Sequence, residues 1–128
     1  MQSLTEKCAQ IVHELHNGYK VTTRDVYFGY YDLAYSVGDL VNAYDYLSGT
    51  YEYDFIISKR IEYRGVVVTV AQEGPTIDIN THTCEVLGYW GNEKVVLHYH
   101  RDLMDVQAWG LDMFKNTSNK KRTGRSLA

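Results

Sequence analysis

From Phe55 to Tyr99 apolar residues fall on every second position, a period that only an extended strand converts into a single apolar side. Phe55, Ile57, Ile61 and Tyr63 alternate with Ser58, Arg60 and Glu62, and Val66, Val68 and Val70 continue the pattern after Arg64-Gly65. A two-residue turn at Arg64-Gly65 would pair Tyr63 with Val66 and Ile61 with Val68. A turn at Thr81-His82 would pair Ile79 with Cys84 and Ile77 with Val86. A third at Gly91-Asn92 would pair Val86 with Leu97, Gly88 with Val95 and Cys84 with Tyr99. All three registers bury the same face, and a slip of one residue in any of them would turn that strand's apolar set to water. With Glu73-Gly74-Pro75 as the remaining turn, the middle of the chain reads as a five-stranded antiparallel meander.

The flanks switch to helical spacing. Leu4, Cys8, Ile11, Val12 and Leu15 share one side of a first helix that Asn17-Gly18 stops. Thr22 and Asp25 have the spacing of a capping box at the start of a second helix. Its apolar stripe would run through Val26, Tyr30, Leu33, Val37, Leu40, Tyr44 and Leu47, with glycines at 29 and 38 inside it. After the strands, Asp102 can cap a third helix facing inward with Leu103, Val106, Gly110, Leu111 and Phe114. The expected fold is α+β: a five-stranded antiparallel meander with two N-terminal helices and one C-terminal helix covering one sheet face.

The 128 residues suit one domain, residues 1–114, followed by a basic flexible tail, residues 115–128. No apolar run is long enough to span a membrane and no signal-peptide pattern opens the chain, which points to a cytoplasmic protein, in the host cytoplasm if it is viral. Cys8 and Cys84 lack metal or redox spacing and read as small buried hydrophobes.

Charge is unevenly placed. Residues 25–58 hold six carboxylates and no lysine or arginine, whereas residues 115–128 hold five cations and no acid. Along the expected second helix Asp25, Asp32 and Asp39 lie seven apart with Tyr35 and Tyr46 among them, Asp45 follows, and Tyr51, Glu52, Tyr53 and Asp54 extend the same chemistry. Carboxylates repel one another on a shared face and exposed rings gain nothing from water. Arginine satisfies both, since it bonds carboxylates bidentately and stacks on rings. These ten residues are therefore the candidate partner-binding set, and the expected partner is a basic protein surface such as that of a nucleic-acid-binding enzyme. The function expected is that of a small non-catalytic inhibitor or adaptor that mimics nucleic acid, comparable to small inhibitors made by phages.

Two other readings come from other residues. Glu85, His98 and His100 on adjacent strands supply the donor types of a facial metal triad or an acid-base site. Lys120, Lys121, Arg122 and Arg125 in the tail could meet phosphate or the acidic block of another copy, so direct nucleic-acid contact is confined to the tail and a homo-oligomer is open. No cofactor is implied: the phosphate-loop, dinucleotide, nucleophile-elbow and zinc-protease motifs are all missing from the sequence. Tyr63–Val70 carries valine and threonine where an RNA-binding strand would need stacking rings.

Overall fold

The computed structural model describes residues 2–28, 35–48, 52–72 and 74–127, with side chains described as far as residue 117. Helix α1 spans Leu4–Asn17. Ser3 caps it by accepting from the Glu6 amide, and Gly18, at φ +98°, turns the chain out of it. The central sheet is antiparallel in the order β3-β4-β5-β6-β7, with β3 Glu52–Ile57, β4 Tyr63–Ala71, β5 Thr76–Asn80, β6 Glu85–Trp90 and β7 Glu93–His98. A last helix, α4, covers Met104–Leu127. The chain is thus an α+β protein built on the expected five-stranded meander.

One face of the sheet makes the core. Leu4, Cys8, Ile11 and Leu15 of α1 pack against β6 and β7, and Val106 and Trp109 of α4 join Val66, Val68, Ile77, Ile79 and Val86 in the same buried cluster. The Gly91-Asn92 hairpin has the register its sequence implies, Val86 opposite Leu97 and Gly88 opposite Val95. The β5–β6 connection is longer than a two-residue turn. It occupies Thr81–Cys84, with Asn80 Oδ1 accepting from the amides of His82 and Thr83 and Cys84 at φ +59°. Ile79 therefore faces Val86 and Ile77 faces Gly88, a shift of two residues that leaves the buried face intact because the side-chain period is also two.

The turn expected at Arg64-Gly65 lies elsewhere. The chain reverses over Ser58–Glu62, where Ser58 Oγ accepts from the amides of Arg60 and Glu62 and Ile61 adopts φ +61°. Ile57 and Ile61 are consequently exposed instead of buried. Gly65 lies inside β4, where a Cβ would come within 2.7 Å of His82 N, so its glycine serves close backbone approach and not a turn.

The long second helix is also replaced. A capping box forms at Thr22 and Asp25 as the spacing implies, but α2 covers only Thr23–Tyr27. Leu40–Val41 form β2, paired with β1 at Tyr19–Lys20, and α3 covers Ala43–Ser48. Gly38 takes φ +92°, Ser36 donates its amide to Asp39, and Asn42 Oδ1 accepts from the Asp45 amide at the head of α3. These local bonds outcompete a continuous helix, and so Val37 and Leu40 are exposed while Val41 is buried. Tyr30 and Leu33 of the expected stripe lie outside the described residues.

Helix α4 begins after Leu103, and the Asp102 amide donates to His100 Nδ1 instead of opening the helix as its cap. Trp109, absent from the expected inward set, is its most deeply buried large residue, whereas Leu111 is exposed. Its backbone continues through the residues read as a tail. No described helix is long and apolar enough to cross a membrane.

Candidate functional site

Because α1 and α4 both pack on the Val66, Val86 and Gly88 side of the sheet, the alternate residues point to the opposite face. The register sets two rows across that face: Asp54, Val67, Asn80, Glu85 and His98, then Glu52, Thr69, Asp78, Leu87 and Val96. Val67 and Leu87 are partly exposed and Val96 is exposed, with Glu52 and Asp54 exposed on β3. Asp78 accepts from Thr69 Oγ1 at 2.8 Å, and Glu85 meets His98 Nε2 at 3.4 Å. Four carboxylates thus share this face with Val67 on β4 and Leu87 and Val96 on β6 and β7, the polar Asp78 and Asn80 of β5 standing between them, and Lys94 lies over the Tyr89 ring. Glu52 and Asp54 belong to the sequence-derived set. Asp78 and the apolar residues Val67, Leu87 and Val96 were missed, although the same strand alternation that located the core also assigns them to its reverse side.

The remaining acidic and aromatic residues do not line one rod. Asp25 is buried, contrary to its expected outward position; its Oδ2 accepts from Tyr19 Oη and from the Thr22 amide, each at 2.8 Å. Tyr35 donates its hydroxyl to Asp45, and Tyr44 donates to Asp112 at 2.7 Å. Those bonds, ahead of burial and nearby carboxylates, raise the phenols of Tyr35 and Tyr44 above their ordinary value. Asp39 is exposed and accepts from the Ser36 amide, and the Tyr46 ring lies 5.5 Å from that of Tyr19. Tyr53 turns toward the core side, edge-on to Trp109 at 6.3 Å. Asp32 and Tyr51 lie outside the described residues. Much of the local wealth of tyrosine and aspartate is therefore spent on pairing within the chain. α3, carrying Asp45 and Tyr46, packs on α1 and α4, on the other side of the sheet from Glu52 and Asp54.

The metal-type trio does not assemble. Glu85 and His98 are cross-strand partners as the register implies, but the His100 ring accepts from the Asp102 amide and its backbone N–H donates to His16 Nε2. Among the described residues no three histidine, cysteine or acidic side chains stand close enough to hold a metal ion.

No protein-family model matches the chain, and neither a curated protein nor a solved structure matches it.

Proposed function

We propose that this protein is a non-catalytic binding protein whose exposed sheet face docks on a basic protein surface, as an inhibitor or adaptor of a nucleic-acid-binding protein. The observation that carries the reading is the presence of Glu52, Asp54, Asp78 and Glu85 among the wholly or partly exposed Val67, Leu87 and Val96 on a face that the described helices leave uncovered. Apolar and acidic side chains interspersed on one exposed face serve an interface together: the apolar ones lose their water and the carboxylates select the partner's sign. Surfaces that hold phosphate do so largely with arginine and lysine, and arginine forms the same paired bonds to a carboxylate. Partner recognition through this face has one polarity and should weaken with added salt.

The test compares two sets of charge reversals. Glu52→Lys with Asp54→Lys alters the sheet face; Asp39→Lys with Asp45→Lys alters the α3 side. Each chain is immobilised and offered the heparin-binding protein fraction of a cell extract. The expected result is capture by wild type and by the α3-side variant, displaced by duplex DNA, and loss of capture by the sheet-face variant. Loss with the α3-side variant alone, or capture indifferent to DNA, would overturn the proposal.

A further inference from the structure

The last turns of α1 face β1 and the start of α2 across an open cleft of about 520 Å³, lined among others by His13, Glu14, Tyr19, Lys20, Thr22 and Leu40. That volume is in the range that small-molecule sites occupy, roughly 300–1,000 Å³. Its polarity is lopsided. Glu14 is half-buried and its carboxylate has no hydrogen-bond or ion-pair partner among the described residues. Asp25, buried nearby, already has its Oδ2 occupied by Tyr19 and Thr22, so it adds negative potential without offering Glu14 a donor. Lys20 is exposed and forms no ion pair with Glu14.

We propose that this cleft binds a small aliphatic primary ammonium, its head on the Glu14 carboxylate and its alkyl chain against Leu40. Two features of the cleft match two features of that ligand class. An ammonium supplies the donors that Glu14 lacks. Leu40, exposed at the lining, loses water when an alkyl chain covers it. Burial, and after it the charge of Asp25, pushes the Glu14 carboxyl up to about 7, so the cleft gains its full charge only once that proton leaves. The groups that face Glu14 are His13 on its own helix, Tyr19 and Lys20 on β1, and Asp25 on α2. This site is separate from the sheet face and does not depend on it.

The experiment follows the amide resonances of Gly18, Tyr19 and Thr22 while n-butylammonium chloride is added, with n-butanol and sodium butyrate as matched neutral and anionic probes. Saturable shifts with the ammonium alone are expected, with affinity rising as pH passes through 7 and Glu14 ionises. Glu14→Gln should weaken binding at least roughly ten-fold, the loss of one charge-assisted bond. Leu40→Ser, at an exposed position, should keep the fold and weaken binding through the alkyl chain. Equal shifts with butanol or butyrate, affinity unchanged in Glu14→Gln, or no saturation with the ammonium would each overturn the proposal.

Discussion

Gly88 of β6 and Cys8 of α1 are in such close approach that a Cβ at position 88 would stand 2.5 Å from Cys8 Sγ, and 2.8 Å from Leu4 Cδ1. The absent side chain is what lets α1 settle on the sheet, with Cys8 and Leu4 both buried against it. Gly88→Ala should therefore force α1 outward and destabilise the fold by about 1–3 kcal/mol, the usual cost of overpacking. Removing the thiol with Cys8→Ala in the same chain should recover part of that cost, so the double variant should lose less than the sum of the singles. Urea unfolding of the four chains checks this. Additive losses would mean that α1 does not bear on Gly88.

Tyr19 and Asp25 predict an alkaline limit. Burial first, then the bond to Asp25, pushes the Tyr19 phenol from its ordinary 10 up to about 12. A pKa raised by folding gives stability that is whole below pH 10 and is lost as pH rises through about 12. Tyr19→Phe should cost about 1 kcal/mol near neutrality, at the low end for a buried acceptor losing a donor because Tyr19 is only half-buried. It should also remove this contribution to the alkaline loss. Unfolding midpoints that fall as steeply in the variant as in wild type over that window would refute the assignment.

Glu14 predicts a slope at lower pH with a distinct origin. Folding raises its carboxyl from the ordinary 4.5 to about 7, so the folded chain binds more protons than the unfolded chain between those values. The stability it contributes is therefore whole below 4.5 and declines as pH rises through 7. Glu14→Gln should flatten that decline and raise the thermal midpoint on the alkaline side of 7. A variant melting in parallel with wild type at every pH would sink this expectation.

What could be read from the sequence was local or periodic. The Thr22–Asp25 capping box and the Gly91-Asn92 hairpin depend on residues a few positions apart, and both form. The buried sheet face survived a turn misplaced at Thr81-His82 because a two-residue shift keeps every side chain on its side. The second helix failed for a local reason of another kind: Gly38 at positive φ and the side-chain bonds of Asp39 and Asn42 interrupt an apolar stripe that by spacing alone looked continuous. The candidate site was legible in part. Glu52 and Asp54 stand out as uncompensated acids, but the burial of Asp25 depends on Tyr19, and the role of Gly65 depends on His82; partners brought in by the fold leave no mark in the intervening spacing.

Trp109 and Trp90 should report separately on core and surface. Trp109 is 1% exposed, edge-on to Tyr53, and its Nε1–H finds no acceptor among the described residues, while Trp90 is 54% exposed on β6. Trp109→Ala should cost about 3–5 kcal/mol through the cavity it leaves. Trp109→Phe should cost clearly less, since a ring still fills most of the space and the deletion of an unpaired buried donor offsets part of the lost contact. In fluorescence, acrylamide should quench the Trp109→Phe variant strongly, because only Trp90 then emits. Trp90→Phe should leave an emission that is blue-shifted and protected. Equal quenching of the two single-tryptophan chains would show that α4 does not close over the sheet at Trp109, and the core packing on β4 would then have to be redrawn.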